Sequence, residues 1–217
     1  MEQQSSDKPK DVHEFIARQR AAVASNPDCG TSHYNLAIGL MGLKEYEEAE
    51  KELHQAIDCS PSLAEAYVQL GAIALSRGDL DGCLTFNQHA VKARPGFSEA
   101  YGNMGFVHLQ KGELDEAIKV LKRATAFNFR FLQGFANLGN AYLMKGELDK
   151  SIEANLKAIE LEPNFGVAHN NLAIAYLEKG ELQQAAEHIN KAEALGYEVA
   201  PEIKATLSKS DSATQAD

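Results

Sequence analysis

The sequence of 217 residues has few cysteines, no apolar run near its start and no excess of positive charge. Its three cysteines, Cys29, Cys59 and Cys83, are odd in number and lack CxxC spacing, which indicates neither a disulfide framework nor a zinc site. Residues 1–10 hold no apolar stretch that could form a secretory signal or a membrane anchor, so we expect a cytoplasmic protein without direct membrane insertion. A formal net charge of −10 argues against binding to nucleic acid or to anionic membranes.

Sequence signatures of catalysis are also missing. The chain has no GxxxxGKS/T phosphate loop, no GxSxG nucleophile elbow and no HxxxH pair with a partnering acid. Its seven histidines are spread along the chain instead. We therefore predict no catalytic residue, no metal site and no cofactor.

A period of about 34 residues runs through most of the sequence. Alanine recurs at Ala56, Ala90, Ala124, Ala158 and Ala192, and a large apolar residue recurs at Leu36, Leu70, Met104, Leu138 and Leu172. A small residue recurs at Ala37, Gly71, Gly105, Gly139 and Ala173, and a glycine followed by an acidic residue and leucine begins at Gly78, Gly112, Gly146 and Gly180. Aligned columns of this kind predict an array of helix-turn-helix repeats.

Each column has a physical role in a pair of helices. Leu138 and Tyr142 lie four residues apart, so they share one face of a first helix. Gly139 lets a second helix approach that face closely. Gly146 is expected to end the first helix in the left-handed conformation, because it has no Cβ to clash there. Pro163 then ends the second helix.

These columns resemble the tetratricopeptide repeat family, whose pattern W-x2-L-G-x2-Y is followed by alanines and a proline. This chain fills the tryptophan place with His33, Tyr67, Tyr101, Phe135 and His169, and the tyrosine place with Leu40, Ala74, His108, Tyr142 and Tyr176. The resemblance implies an all-α fold, a right-handed α-solenoid superhelix of five helix pairs. These pairs are predicted at residues 30–63, 64–97, 98–131, 132–165 and 166–199.

The ends of such an array need covering. Residues 11–29 are predicted to form an N-terminal capping helix that offers Val12, Phe15, Ile16 and Val23 for burial. Residues 200–208 are predicted to form a C-terminal capping helix that begins near Pro201. The remaining tails, 1–10 and 209–217, are polar, and we expect them to be disordered.

Two positions depart from the repeat pattern. Lys44 stands where the other repeats have the turn glycine, which predicts a looser or differently turned corner. Phe129 stands in the place of the closing proline, so we expect the preceding helix to run on or to bend differently.

The resemblance also implies where a partner binds, because first helices line the concave face in this family. One inner column consists of primary amides: Asn35, Gln69, Asn103, Asn137 and Asn171. Amides donate and accept hydrogen bonds, so this column resembles the asparagine ladder with which related arrays hold an extended peptide. The alternative is that these amides only bond neighbouring helices. Tyr34, Ile38, Phe106 and Asn140 complete the predicted peptide-binding set.

The chemistry of the groove suggests its ligand. An apolar stripe beside the amides favours a partner segment with apolar residues, although Leu75, Leu109, Leu143 and Leu177 of that stripe are expected to pack between units. The inner positions lack the lysines with which chaperone-binding members of the family hold a terminal carboxylate. Glu65 and Glu99 favour basic groups on the ligand instead.

Two functions remain open from the sequence. The first is a non-catalytic adaptor or scaffold that binds a partner peptide in the concave groove. The second is an assembly scaffold that self-associates through convex or terminal surfaces, for which the cluster Phe127, Phe129 and Phe131 is the candidate. Phe127 and Phe131 also fit core positions in the repeat, which leaves Phe129 as the residue without a packing role.

Overall fold

The computed structural model describes residues 11–201 and 203, and within those residues it contains eleven α-helices and no β-strand. The helices are α1 (Val12–Ser25), α2 (Gly30–Gly42), α3 (Tyr46–Cys59), α4 (Ala64–Ser76), α5 (Leu80–Ala93), α6 (Ser98–Gln110), α7 (Leu114–Phe127), α8 (Leu132–Met144), α9 (Leu148–Leu161), α10 (Gly166–Glu178) and α11 (Leu182–Ala194). The all-α prediction is confirmed. The predicted tails at 1–10 and 209–217 and most of the C-terminal capping helix lie outside the described residues.

The chain divides into two compact units, residues 1–100 and 101–217, and the boundary falls inside α6. In the first unit α1 packs on α2, and α2 to α5 pack successively as neighbours. Ile16 of α1 is buried beside Leu36, Leu40 and Leu53, and it lies so close to Gly39 that a Cβ there would collide with it. This contact explains why an amphipathic segment precedes the first repeat.

The second unit is built in the same way. Its helices α7 to α11 also pack successively, and α8 contacts α10 as well as α9. Leu109, Leu121, Leu138 and Tyr142 form a core between α6, α7 and α8. At the far end Ile203 packs against a cluster that contains Ala173, Ile189 and Val199. No helix within residues 11–201 is long and apolar enough to cross a membrane.

The corners between paired helices share one geometry. Gly146 has φ 75°, its N–H donates to the Leu143 carbonyl at 2.9 Å, and the Glu147 N–H donates to the Tyr142 carbonyl at 2.9 Å. The left-handed prediction for this glycine is therefore confirmed. Lys44 has φ 63° and makes the same bonds at the first corner. The expectation of a differently turned corner there is wrong, because the lysine accepts the conformation that glycine has in the other repeats.

The expectation that the helix before Phe129 runs on is also wrong. Helix α7 ends at Phe127 after 14 residues, as α9 ends at Leu161 after 14 residues. Asn128 takes an extended conformation, donates its N–H to the Ala124 carbonyl at 3.0 Å and accepts from the Arg130 N–H through its side chain at 2.9 Å. An asparagine that bonds the backbone ahead of it stops the helix without proline.

Small residues on first helices allow close packing of the second helices. A Cβ at Gly139 would collide with the Asn155 side chain, and a Cβ at Gly105 would collide with Leu121. Gly71 stands in the same relation to Asn87 in the first unit. The close approach predicted for Gly139 is therefore confirmed.

Ion pairs link two corners of the second unit, those at Gly146 and Gly180, to the preceding second helix. Lys145 lies 2.7 Å from Asp115 and 3.1 Å from Glu147. One repeat later, Lys179 lies 2.8 Å from Asp149 and 2.9 Å from Glu181. The aspartates are exposed, so each pair contributes little to stability, on the order of 0–1 kcal/mol.

Candidate functional site

In the first unit, the predicted site residues lie on α2 and α4. Tyr34 is half-buried, and its phenol lies near the Gln69 side chain of α4. Burial raises the pKa of Tyr34, and the nearby Glu65 carboxylate raises it further. Asn35 is partly buried, whereas Ile38 is 36% exposed. The structure thus brings together an aromatic ring, two amides and an exposed aliphatic side chain.

Glu65 forms an ion pair beside this surface. Its Oε1 accepts from Arg94 Nη2 at 2.6 Å, and Arg94 lies over the Phe97 ring with its guanidinium carbon 4.7 Å from the centroid. The other carboxylate oxygen, Oε2, is buried and has no hydrogen-bond partner among the residues that the structure describes. The negative charge that favours a basic ligand is therefore partly neutralised by Arg94, while one acceptor atom is left over.

In the second unit, Asn103 on α6 and Asn137 and Asn140 on α8 are all partly buried. The Asn137 side-chain oxygen accepts a hydrogen bond from Gln133 Nε2 at 2.8 Å, one turn earlier on the same exposed helix face. This bond holds the amide of Asn137 in place and leaves its NH₂ group as a donor.

Asn171 behaves differently from the other amides of its column. It is buried, and its Nδ2 donates to Asn155 Oδ1 at 3.1 Å and to the Ala136 carbonyl at 3.4 Å. The alternative raised for the amide column, bonding between neighbouring helices, therefore describes Asn171. Its amide joins α10 to α8 and α9.

Asn87 and Asn155 are buried amides that were not among the predicted site residues. Each donates its Nδ2 to the carbonyl four residues earlier, Asn87 to Cys83 at 2.8 Å and Asn155 to Ser151 at 2.9 Å. The signal for them was available, because the other three members of their repeat column are Leu53, Leu121 and Ile189. A polar residue in an otherwise apolar column indicates a buried group with a partner.

The apolar stripe separates into core and surface positions. Leu109 belongs to the buried core of the second unit, and Leu143 packs against the cluster of Ile152 and Leu172. For these two leucines the expected packing role is confirmed. Phe106 is only partly buried, as a residue with access to a ligand would be.

The structure brings His169 and His188 together, which the sequence did not reveal. Their Nδ1 atoms lie 2.9 Å apart, and His169 Nε2 donates to the Pro163 carbonyl at 2.9 Å. His188 stacks on Tyr176 with ring centroids 5.6 Å apart. Burial and the neighbouring His169 lower the pKa of His188 to about 4, so the His188 ring is neutral at pH 7.

His33 occupies the corresponding place in the first repeat but with a carboxylate partner. Its Nδ1 lies 2.6 Å from Glu52 and its Nε2 lies 2.8 Å from the Pro27 carbonyl. Burial opposes protonation, but the bonds to Glu52 and Pro27 prevail and raise the pKa of His33. The described residues contain no group of three or more His, Cys, Asp or Glu side chains that could hold a metal ion.

Comparison with known proteins identifies the family. The family model described as TPR repeat matches residues 105–146 and 139–180. These residues are tetratricopeptide repeats (TPR), so the chain is a TPR protein over the part that the family model matches. No curated protein sequence matches this TPR protein significantly.

Three solved structures are similar to this TPR protein. MamA 41-end from Desulfovibrio magneticus RS-1 is 26% identical with a TM-score of 0.67, and the match covers 77% of this chain and 94% of that one. YrrB, described as a TPR protein with an unusual peptide-binding site, is 20% identical with a TM-score of 0.68, over 83% of this chain and 93% of that one. A chain of the APC/C hetero-tetramer Cut9-Hcn1 is 19% identical with a TM-score of 0.76, over 92% of this chain and 39% of that one. The last two matches show the fold alone.

Proposed function

We propose that this TPR protein is a non-catalytic scaffold that holds an apolar peptide segment of a partner protein against its first helices. TPR arrays are protein-interaction modules, and the finer assignment depends on the surface chemistry of α2, α4, α6 and α8. The main support is the placement of partly exposed amides beside apolar side chains on those helices, Asn137 and Asn140 in the second unit and Asn35 beside Ile38 in the first.

Backbone recognition explains why such a surface would suit an extended peptide. The Asn137 oxygen is occupied by Gln133, so its NH₂ group donates outward, and a peptide carbonyl is the matching acceptor. Ile38 and Phe106 supply apolar contact without a directional requirement. The amide of Asn171 is used internally, so we assign the grip of the second unit to Asn103, Asn137 and Asn140.

Site-specific photocrosslinking tests the proposal because it traps whichever segment lies against a chosen position. A benzoylphenylalanine residue placed at Ile38 or at Asn140 in the full chain should trap a partner peptide that mass spectrometry then maps. The matched control is the same residue at Leu156, an exposed position on the second helix α9. Equal trapping of the same peptide from Leu156 would contradict binding on the first helices.

The trapped segment then allows an affinity measurement. We expect the double change Asn103→Ala and Asn137→Ala to weaken binding of that peptide by about 1–3 kcal/mol, from roughly 0.5–1.5 kcal/mol for each net hydrogen bond. Helical content should remain nearly unchanged, because the Asn137 bond to Gln133 lies on one helix face and both asparagines are only partly buried. Full affinity in a folded double variant would refute the role of the amides.

Self-association is the second candidate function, and Phe129 favours it. Its side chain is 75% exposed, and Phe127 beside it is 52% exposed although its ring stacks on Tyr101. Phe131 instead lies against Gly102 and Gly134 and belongs to the packing of the unit. An exposed aromatic pair of this kind is typical of contact surfaces.

Sedimentation velocity distinguishes this candidate. If Phe129 drives assembly, the chain should show a mass that rises with concentration, and Phe129→Ala should return it to a monomer. Leu195→Ala, a change at another exposed apolar side chain, serves as the control. A monomer at every concentration before and after the Phe129 change would remove this function.

A further inference from the structure

A cavity lies among helices α7, α8 and α9 of the second unit, away from the proposed peptide surface. Its volume is about 460 Å³, and Leu138 and Tyr142 of α8 form part of its lining. Three lysines surround it, Lys122 from α7 and Lys150 and Lys157 from α9. An aromatic and aliphatic lining with several cations around it differs from the otherwise acidic character of this chain, whose net charge is −10.

The cavity exists because the fourth repeat has an alanine, Ala154, at a position where the other repeats have larger residues. Ala154 lines it, whereas the equivalent positions in other repeats are Glu52, Phe86, Val120 and His188. Phe86 packs against the core of the first unit, and His188 stacks on Tyr176 in the last repeat. In the fourth repeat, Ala154 leaves the corresponding space beside Tyr142 open.

The cavity and the amide surface lie on opposite faces of α8. At about 100° per residue, the mean direction of Phe135, Leu138 and Tyr142 differs by about 160° from that of Asn137 and Asn140. A ligand in the cavity therefore cannot contact the amides of α8. The two surfaces can be tested separately.

The charges around the cavity are available to a ligand. Lys150 Nζ lies 5.5 Å from the centroid of the Tyr142 ring, where it adds a cation–π contact to a floor that is already aromatic. Lys150 also pairs with Glu147, and Lys157 pairs with Glu160 at 2.8 Å. These are exposed pairs three residues apart on one helix, which contribute little and exchange readily for a stronger partner.

The remaining lysine strengthens the positive character. The Lys122 ammonium forms no ion pair or hydrogen bond within the part of the chain that the structure describes, and Glu153 is the one acidic residue among those that line the cavity. A carboxylate that approaches Lys122 and Lys150 gains charge-assisted hydrogen bonds, while an apolar side chain next to it covers Leu138 and Tyr142.

We propose that this cavity is a second interaction site, which takes an acidic peptide segment of a partner protein in which an aromatic or branched aliphatic side chain lies beside Asp or Glu. The apolar side chain enters the space that Ala154 leaves open. The flanking carboxylates contact the lysines from α7 and α9. The array thereby carries one surface on its first helices for one segment and a cavity among α7, α8 and α9 for another.

Peptide titration into the ¹⁵N-labelled full chain tests the proposal. The probe is an acetylated and amidated peptide, Gly-Asp-Glu-Trp-Asp-Gly, and its tryptophan also gives a fluorescence signal because the chain has no tryptophan of its own. We expect amide shifts at Ala126, Tyr142, Lys150 and Ala154, with a dissociation constant of roughly 10–500 μM, typical of a weak single-segment contact. The reversed-charge peptide, Gly-Lys-Lys-Trp-Lys-Gly, should bind at least about tenfold more weakly.

Variants separate the charge from the cavity. The change Lys122→Glu with Lys150→Glu should weaken acidic-peptide binding more than about tenfold. Lys119→Glu on α7 is the matched charge control outside the cavity, and it should change affinity less than about threefold through long-range attraction alone. Ala154→Val should also weaken binding at least about fivefold by filling the space, and Val120 at the equivalent position indicates that the fold accepts valine.

Several outcomes overturn the proposal. It fails if the acidic peptide causes no shifts, if the shifts map to α2, α4 or the Asn137 face, or if both peptides bind equally. It also fails if a folded Lys122 and Lys150 variant binds with full affinity. If sedimentation shows self-association and Ala154→Val abolishes it, the occupant of the cavity is a second copy of this chain rather than an acidic peptide of a partner. Asn137→Ala should leave peptide binding here unchanged, so failure of the groove proposal and failure of this one are distinguishable.

Discussion

The first corner offers a quantitative test of backbone strain in this array. Lys44 has φ 63°, whereas the residues at the equivalent corners are glycines with φ between 73° and 78°. A non-glycine residue in the left-handed region costs roughly 1–2 kcal/mol. Replacement by glycine removes that cost but adds about 0.5–1 kcal/mol of backbone freedom in the unfolded chain. We therefore expect Lys44→Gly to stabilise the protein by about 0–1.5 kcal/mol.

A second substitution isolates the strain from the entropy of glycine. Asparagine tolerates the left-handed conformation better than lysine, so Lys44→Asn should stabilise the first unit by about 0.5–1 kcal/mol. Lys44 forms no ion pair among the described residues, so loss of its charge should contribute little. Gly78→Lys at the next corner is the reverse control, because a Cβ there meets no atom within 4 Å and the cost comes from the backbone alone.

Two measurements are needed: urea denaturation for the global stability, and hydrogen exchange of the α2 and α3 amides for the local stability of the first repeat. Exchange is needed because repeat arrays unfold locally, so a global midpoint understates a change at one corner. We expect slower exchange in Lys44→Asn and faster exchange of α4 and α5 in Gly78→Lys. The reasoning is refuted if both Lys44 variants destabilise the first unit by more than about 0.5 kcal/mol, since strain relief would then be absent.

Three further predictions follow from buried and reactive groups. The free energy of unfolding should fall by about 1–3 kcal/mol as pH drops from 6.5 towards 4. The pKa of His188 is lowered to about 4 in the folded chain, so in this range the unfolded chain binds a proton that the folded chain does not. His188→Leu should therefore make the melting temperature less dependent on pH. Iodoacetamide should modify Cys29 before Cys83 in a mass-spectrometric time course, since hydrogen bonds from Ser32 lower the pKa of Cys29 while burial raises that of Cys83. Gly139→Ala should lower the free energy of unfolding by about 1–3 kcal/mol, because the added Cβ would collide with Asn155. Gly146→Ala, where the added Cβ meets no atom within 4 Å, measures backbone strain alone. An unchanged denaturation midpoint for Gly139→Ala would contradict the packing argument.

The repeat architecture was predictable because its signal is local and repeated. The pattern at Gly146 fixes a corner by backbone conformation alone, and four copies of it in the sequence leave little ambiguity. The two wrong expectations concern single departures from that pattern. Lys44 and Asn128 show that a neighbouring residue or a small strain can reproduce a corner or a helix end without the usual glycine or proline.

The pairings between helices were less accessible from the sequence. His169 and His188 lie 19 residues apart and meet because α10 and α11 are antiparallel, so their contact depends on side-chain direction as well as register. Asn171 and Asn155 meet for the same reason, 16 residues apart. The amide column could be found by spacing, but which of its members turns inward depends on whether the facing helix carries a polar partner.

The corners that carry Lys145 and Lys179 make the second unit sensitive to salt, which its apolar core is not. Lys145 and Lys179 each reach back across one repeat to Asp115 and Asp149, which stand almost fully in water. Dissolved salt weakens such exposed ion pairs, because the screening length is about 8–10 Å at about 0.1–0.15 M ionic strength and shortens as salt is added, but it leaves buried apolar packing in place. We expect the stiffness of the contact between adjacent helical hairpins of α7 to α11 to fall as ionic strength rises, while helix content stays constant. The elasticity of this unit would then depend on salt concentration more strongly than its secondary structure does.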